Sequence, residues 1–402
     1  MSLPRARALA LLVAAAVACD GGDPASPGPG AGGGDAATDG SDGSAGDGGA
    51  DTGQAWGVVD IDPDATPPDL LSALQLLRWS GEEVVYNAGV VPYALQTPLF
   101  SDFTRKHRAI WMPDGTTAGW PASGTLDFPV GTVILKTFVH VEDHTRDDSP
   151  VRVIETRVLL RGSEGWTAWP YLWRPDGSDA DLHVSGEVLN LDLIDPHGQA
   201  RTAHYLVPQR NQCVDCHESF DADGERVLGP IGPSPRFLND GAWLQQQVAD
   251  GRLTGAPDLA EVPAAVDWSA IEAADVAALS PEEVTHAARS YLHINCAHCH
   301  SPAGIEGVTS QFFLDYDQDD PFHLGVCKRP GSAGEGGEDR EFDIVPGDPE
   351  QSILWYRTAT EDVGAMMPDI GRSLQHDVGA ALIWRWIADM PPDDCHSDRV
   401  AP

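Results

Sequence analysis

The sequence predicts a multidomain protein, with an N-terminal mainly-β, sandwich-like domain followed by mainly-α regions. Segments between residues 131 and 195 alternate apolar and polar side chains and are separated by Gly-rich turns, a pattern typical of antiparallel strands. After Pro208 the pattern changes to helical periodicity between Pro- and Gly-rich loops. A length of 402 residues leaves room for two or three domains once non-globular parts are removed.

Residues 1–19 have the form of a lipoprotein signal peptide. A short basic start precedes an apolar run over residues 8–18, which is too short to span a membrane. The run ends in small residues before Cys19 and resembles a bacterial lipobox, with Ala16 where the usual leucine would stand. The resemblance implies that Cys19 is lipidated. Ordinary signal cleavage before Cys19 is the alternative.

Residues 20–64 are predicted to form a disordered tether. As far as residue 55 they are almost all Gly, Asp, Ala, Ser and Pro, a composition that cannot bury a core. A tether after a lipid anchor would hold a folded body away from the membrane surface. The expected location is therefore the bacterial cell envelope, with the protein lipid-anchored in the periplasm or at the outer-membrane surface.

The β-rich domain is expected over residues 65–208. Its predicted strands cover residues 131–141, 151–161 and 187–195, with a further strand after the turn at residues 162–165. This further strand places Trp169, Tyr171 and Trp173 on one side. Such an aromatic stripe indicates a core or domain interface, with a sugar-binding platform as the alternative.

Two Cys-x-x-Cys-His motifs, at residues 213–217 and 296–300, are the attachment signature of c-type haem. Two cysteines three residues apart share one face of a helical turn, so both thiols can reach the two vinyl groups of one porphyrin. The histidine after the second cysteine is then placed to ligate the iron. We therefore expect two covalently bound haem c groups, attached through Cys213, Cys216, Cys296 and Cys299, with His217 and His300 as iron ligands.

A zinc knuckle and a dithiol redox pair are the alternatives for these motifs. Structural zinc requires four nitrogen or sulfur ligands, and the two cysteine pairs lie too far apart in sequence for ordinary finger spacing. A redox dithiol has no need of the histidine that follows each pair. Both alternatives are therefore less consistent with the sequence than haem.

The first haem-binding region is expected over residues 209–268 and the second, cytochrome c-like domain over residues 269–402. A capping box with Ser280 as N-cap begins the helix that leads into the second motif. Further helices are predicted at residues 240–250 and 374–390.

The second domain resembles a small class I cytochrome c, in which a Met-Pro step before the last helix supplies the sixth iron ligand. Residues 366–368 of this chain read Met-Met-Pro and precede the predicted last helix. The resemblance implies that Met367, or alternatively Met366, ligates the second iron. Methionine as core filler is the other interpretation. Thioether ligation raises the reduction potential and suits electron transfer.

The sixth ligand of the first iron stays open. Gly229 follows His217 at a spacing like that in cytochrome c, where a glycine carbonyl accepts a hydrogen bond from the proximal histidine. No methionine lies between the two motifs. His204, His286 and Met112 are candidates from other parts of the sequence, and an open coordination site is a further alternative.

Cys327 and Cys395 are predicted to form a disulfide, because an exported protein would oxidise two such cysteines where geometry permits. On the chain-entropy description a bridge of this span contributes about 4 kcal/mol. It would hold the C-terminal segment against the haem-bearing domain.

The formal net charge of −37, from 62 acidic and 25 basic residues, excludes nucleic acid and anionic lipid as main partners. The sequence predicts membrane contact only through the lipid anchor. The expected partners are basic or neutral redox proteins.

Over residues 85–395 the wider pattern is similar to an envelope di-haem c-type cytochrome lipoprotein family. The phrases that carry this resemblance are at residues 97–102, 127–132, 211–213, 295–296, 343–349 and 366–368. The resemblance implies haem binding and indicates no particular partner. We expect electron transfer at the cell envelope, by a carrier rather than a catalyst.

Two other functions stay open at this point. One is a di-haem peroxidase-like enzyme, a haem-dependent oxidoreductase with an open first iron. The other is a protein whose β-domain binds carbohydrate or a partner while the haems are auxiliary. No catalytic acid or base can be named from the sequence.

Overall fold

The computed structural model describes residues 55–221, 223–268, 271, 275–304, 311–331 and 334–396. The predicted signal peptide, Cys19 and most of the predicted tether lie outside the described residues. The described residues belong to one compact unit. Hydrogen bonds cross both predicted boundaries: Gln96 N donates to the Phe237 carbonyl at 2.9 Å across residue 208, and Phe220 N donates to the Ala303 carbonyl at 2.9 Å across residue 268.

The described residues form fourteen β-strands. Their bounds are Leu77–Trp79 (β1), Val84–Tyr86 (β2), Val90–Tyr93 (β3), Arg105–Trp111 (β4), Ala118–Gly119 (β5), Val133–Val141 (β6), Val151–Gly162 (β7), Gly165–Trp173 (β8), Ala180–Leu182 (β9), Glu187–Ile194 (β10), Ala200–Val207 (β11), Glu218–Phe220 (β12), Arg226–Leu228 (β13) and Leu253–Thr254 (β14). The strands predicted between residues 131 and 195 are all present. Their β-branched and aromatic residues favour extended backbone, and the tight turn between β7 and β8 joins neighbouring antiparallel strands.

Six strands form the central antiparallel sheet, in the order β3-β4-β6-β7-β8-β9. The other strands form two-stranded sheets, of which β1-β2, β10-β11 and β12-β13 are antiparallel and β5-β14 is parallel. Register places Arg108 of β4 opposite Lys136 of β6, and Lys136 opposite Arg157 of β7. The central sheet therefore aligns three basic side chains across neighbouring strands.

The described residues form six α-helices, none longer than 12 residues. Their bounds are Val214–His217 (α1), Pro235–Leu238 (α2), Trp243–Ala249 (α3), Pro281–Leu292 (α4), Ile353–Ala359 (α5) and Asp377–Ala388 (α6). The predicted capping box begins α4: Ser280 Oγ accepts from Glu283 N at 3.3 Å, and Glu283 Oε2 accepts from Ser280 N at 2.8 Å. A π-helical turn, His293–Ala297, continues α4 into the second motif.

The predicted fold class is wrong, because the chain after Pro208 is not mainly α. In residues 209–268 three short helices share the segment with the β12-β13 pair and with β14, which pairs with β5 of the first half. These three helices have 4, 4 and 7 residues, and such short helices are stable only when they pack on other parts of the protein. The helical periodicity of the sequence corresponds to short helices here and not to a mainly-α domain.

The prediction of a sandwich-like β domain is also wrong in its second layer. One face of the central sheet packs on Leu71, Leu74 and the β1-β2 pair. The opposite face packs partly on the β10-β11 ribbon and partly on residues from the second half of the chain, including Phe237, Leu244 and Ile294. The second half therefore supplies much of the layer that a second sheet would supply in a sandwich.

The aromatic stripe of β8 lies in the core. Trp169, Tyr171 and Trp173 are 2%, 0% and 7% exposed, and Trp173 Nε1 donates to Thr156 Oγ1 at 2.9 Å. Side chains so deeply buried cannot stack on a sugar. The structure thus removes the feature on which the carbohydrate-binding alternative depended.

Residues 97–102 fasten the sheet to the second half of the chain. Thr97 Oγ1 donates to the Val266 carbonyl at 2.6 Å, and Phe100 N donates to Asn295 Oδ1 at 2.9 Å. The buried Asp102 carboxylate accepts from the backbone N–H groups of Ser373 and Leu374 at 2.7 and 2.8 Å. These bonds give residues 97–102 a structural role that the sequence alone did not indicate.

A half-buried histidine lies beside residues 97–102. The His376 ring stacks on Phe100 at 4.2 Å between ring centres and lies 5.4 Å from Trp268 and 5.6 Å from Tyr291. Burial, followed by the charges of Lys106 and Arg372, lowers the pKa of His376 from 6.5 to about 3. The folded protein therefore binds this proton less readily than the unfolded chain does.

We expect His376→Phe to reduce the loss of stability in acid. Between pH 6.5 and 4 the unfolded state binds the His376 proton and the folded state does not, so the free energy of unfolding falls as the pH falls. One such proton contributes a slope of up to about 1.4 kcal/mol per pH unit, so the variant should lose about 2–3 kcal/mol less than the wild type over this range. Urea unfolding at pH 7 and pH 4 measures the difference. Equal losses in both proteins would contradict the burial argument.

Candidate cofactor site

The two Cys-x-x-Cys-His motifs lie against each other. The Cys299 thiol donates to the Asp215 carbonyl across 3.5 Å, which joins the second motif to the first. Just beyond the motifs, Phe220 N donates to the Ala303 carbonyl at 2.9 Å. Motifs that are far apart in sequence therefore form one site.

The first motif spans a 3₁₀ turn, Arg210–Cys213, and the helix α1 that follows it directly. His217 Nδ1 lies 2.8 Å from the Gly229 carbonyl, so this nitrogen carries the proton and donates, as expected from the spacing of the two residues. Burial lowers the pKa of His217 to about 4. The ring is therefore neutral at pH 7 and held in one orientation, which is the form in which histidine binds metals.

The second motif begins in the π-helical turn His293–Ala297. Asn295, before the first cysteine, is buried: its Nδ2 donates to the Tyr291 carbonyl at 3.0 Å and its Oδ1 accepts from Phe100 N. Widened helical turns of this kind are frequent at functional sites. Through these two bonds, Asn295 holds the turn that contains Cys296 against residues 97–102.

The motif thiols remain protonated at neutral pH. Burial raises the pKa of Cys296 to about 12, against the opposing charge of Arg372, and burial and the neighbouring cysteines raise the pKa of Cys299 to about 12. Burial also raises the pKa values of Cys213 and Cys216. Reactive redox dithiols have lowered thiol pKa values, so these environments do not favour the dithiol alternative.

His300 lies among apolar neighbours. Its ring makes an edge contact with Phe312 at 5.2 Å between centres, and burial lowers its pKa to about 4. The Phe312 backbone raises this pKa, but by less than burial lowers it. No atom of the described residues is placed to form a hydrogen bond with His300 Nδ1. A neutral, buried imidazole directly after a cysteine pair is suited to ligate an iron.

A cleft opens beside the first motif. Cys213, Cys216 and His217 line one side, and His298 of the second motif also lines it. The rest of the lining includes apolar side chains and the three basic residues that the central sheet aligns. Cofactor sites in proteins have this character, with a mostly apolar surface and a few fixed polar groups.

Arg108, Lys136 and Arg157 form the basic row, the name used below for these three aligned side chains. Burial, and then the charges of Arg108 and Arg157, hold the pKa of Lys136 well below its usual value. The carboxylate of Glu155 pairs with Arg157 at 2.6 Å, and Arg108 Nη2 is buried without a partner among the described residues. Buried cations facing a cleft require anions, and haem carries two propionate carboxylates. The residues present therefore fit haem c, with Cys213 and Cys216 to attach it, His217 to ligate it and the basic row to bind its carboxylates.

The Met-Met-Pro segment is held by Arg372, which is 6% exposed. This guanidinium donates to the carbonyls of Met367, Leu374, Arg357 and Thr360 at 3.0–3.2 Å. Met366 and Met367 are half-buried, and Met367 N donates to the Arg357 carbonyl at 2.7 Å. Pro368, the next residue, lines the cleft. The segment therefore lies beside the two motifs and not in a separate core.

Three residues considered as ligands of the first iron lie elsewhere. The exposed His204 bonds to Asn190 Oδ1 through Nδ1 at 2.8 Å, and His286 Nε2 lies 3.1 Å from the Ala264 carbonyl. Met112 is buried in the apolar core with Leu126. None of the three lines the cleft.

Cys327 and Cys395, the pair expected from the sequence, are joined in a disulfide with a Cα–Cα distance of 5.0 Å. Within the described ranges, one group of three or more His, Cys, Asp or Glu residues brings its ligand atoms close enough together to hold a metal. It consists of these two cysteines and Asp393. The motif cysteines form no such cluster there. The zinc alternative therefore lacks a ligand set.

The sequence analysis missed the basic row and the position of His298. Lys136 lies in the mostly apolar strand β6, and a lone lysine in such a strand was the available signal. Its alignment with two arginines depends on strand register, which the sequence alone did not reveal.

Among the described residues, no helix is long and apolar enough to cross a membrane. Comparisons with family models, with curated proteins and with solved structures found no match to this chain.

Proposed function

We propose that this chain is a di-haem c-type cytochrome that transfers electrons at the bacterial cell envelope. The observation that supports this best is the contact between the two motifs, with Cys299 Sγ at 3.5 Å from the Asp215 carbonyl. Because each haem carries one electron at a time, two adjacent attachment sites allow electron transfer from one haem to the other. An electron then has a short route between them.

When bound, haem supplies a reversible one-electron change at its iron. The protein attaches the group through two thiols, orients His217 through the Gly229 carbonyl and packs His300 against the Phe312 ring. The basic row binds carboxylates. These contributions fix position and environment, which is what an electron carrier requires of its protein.

The setting of this activity is part of the proposal. Lipidation at Cys19 and the Gly- and Asp-rich segment after it would keep the folded unit near a membrane surface. The net charge of −37 favours a basic or neutral redox partner. Export also agrees with a disulfide between Cys327 and Cys395.

We expect the mature protein to carry two covalent haems. Protein made with a c-type maturation system should show a mass increase of two haems, and the double variants Cys213→Ala/Cys216→Ala and Cys296→Ala/Cys299→Ala should each lose one. The control variant Cys327→Ser/Cys395→Ser should keep both. Intact-mass spectrometry and metal analysis make the measurement. Zinc in place of iron, or no added mass, would rule out the proposed function.

A further inference from the structure

His298 lies at a variable position of the second motif, yet its side chain lines the cleft of the first. On a helical turn, residues two apart point to different sides, so His298 cannot share the face of Cys296 or of His300. The cleft that it lines also contains Cys213, Cys216 and His217. The backbone of one motif therefore presents an imidazole to the cofactor site of the other.

The His298 ring has no bonding partner of its own. Its Nδ1 is buried, and no described residue offers it a hydrogen bond. The neighbouring His293 provides a contrast, because its Nδ1 accepts from Tyr316 N at 2.9 Å. A buried ring nitrogen without a partner requires an explanation, and a bound ligand is one. His300 and His376 have such a nitrogen too, but neither of them lines this cleft.

The other polar groups of the cleft are poorer candidates for an iron ligand. Arg108 and Arg157 keep their protons under all ordinary conditions, and a guanidinium has no lone pair to offer. Lys136 could ligate as a neutral amine, but it lies in register between these two guanidiniums, on the row suited to carboxylates. A histidine is the more common partner of a proximal histidine, and among the described residues that line the cleft His298 is the other histidine.

We infer that His298 is the sixth ligand of the iron attached at Cys213 and Cys216, opposite His217. This inference rests on the proposed function. The second motif then serves both irons, with His300 on its own and His298 on its neighbour. The two coordination spheres are joined by three residues of backbone, which gives electrons a direct covalent route. The first iron is a bis-imidazole centre, with a lower potential than a centre ligated by histidine and methionine.

The test compares His298→Ala and His298→Met with the wild type, each carrying both haems by mass. In the oxidised wild type, electron paramagnetic resonance should show two low-spin irons. His298→Ala should convert one of them to high spin, and added imidazole should restore the low-spin signal. His298→Met should stay low-spin, raise the potential of one haem only and add a second near-infrared sulfur-to-iron band. The controls His204→Gln and His286→Gln should change neither spin state.

Each other outcome overturns the inference in a recognisable way. Low-spin signals that survive in His298→Ala would exclude His298, and loss of low spin in Lys136→Leu alone would assign the position to Lys136. A wild-type high-spin iron that binds cyanide would show an open site and revive the peroxidase-like alternative. A chain without haem would fail at the mass measurement, and that result would overturn the proposed function itself.

Discussion

Replacing Glu155 by glutamine is expected to destabilise the protein by about 3–5 kcal/mol, the usual cost of removing one partner from a buried ion pair. Glu155 is fully buried, and its carboxylate accepts two hydrogen bonds from Arg157, at 2.6 and 3.0 Å. Tyr205 donates a third hydrogen bond at 2.6 Å. Glutamine keeps the shape and removes the charge, so Arg157 would lose the carboxylate with which it pairs among the described residues.

The matched control is Asp181→Asn. It breaks the Arg174–Asp181 pair, which has a similar distance of 2.7 Å but side chains that are 43% and 52% exposed. Water screens such a pair, so its loss should cost much less than the loss of Glu155. Urea unfolding of both variants at pH 7 gives the comparison. Similar small losses in both would show that water or another anion already neutralises the basic row.

Local structure was the part of this fold that the sequence could predict. The strands between residues 131 and 195 and the helix beginning after Ser280 follow from alternation, β-branched residues and a capping box, all of which act within a few residues. The bond from His217 to the Gly229 carbonyl was also accessible, because both residues lie in one short segment. These predictions needed no knowledge of distant contacts.

The wrong fold class has a long-range cause. Helical periodicity in the second half predicted helical domains, but Phe237, Leu244, Ile294 and other residues of the second half pack on one face of the central sheet. The Thr97–Val266 and Phe100–Asn295 bonds show how closely the two halves are joined. A local pattern cannot reveal which surface a segment will cover, and so tertiary packing overrode it.

The site was predictable in its chemistry and not in its arrangement. The sequence identifies the four motif cysteines and two histidines by spacing alone. It cannot show that the motifs touch, since the contact between Cys299 and Asp215 depends on how the whole chain folds. The basic row likewise exists only in the register of three strands.

Met367→Ala is expected to abolish the near-infrared sulfur-to-iron band of the oxidised protein and to lower the potential of one haem strongly. A thioether favours ferrous iron, so its loss makes that iron easier to oxidise. The structure adds a reason to expect a defined ligand at this place. Arg372 binds the Met367 carbonyl at 3.0 Å and Arg357 accepts from Met367 N, so the segment is held rigidly beside the motifs.

The neighbouring methionine is the matched control. Met366→Ala removes the same side chain one residue away and should leave the band and both potentials unchanged. If Met366→Ala removes the band and Met367→Ala does not, the ligand is Met366. If neither variant alters the spectrum, the Met-Pro resemblance has no bearing on ligation. Because His298 is assigned to the other iron, His298→Ala should leave this band intact, and the combined variant should lose both low-spin irons. If each variant alters one iron only, Met367 and His298 ligate different irons.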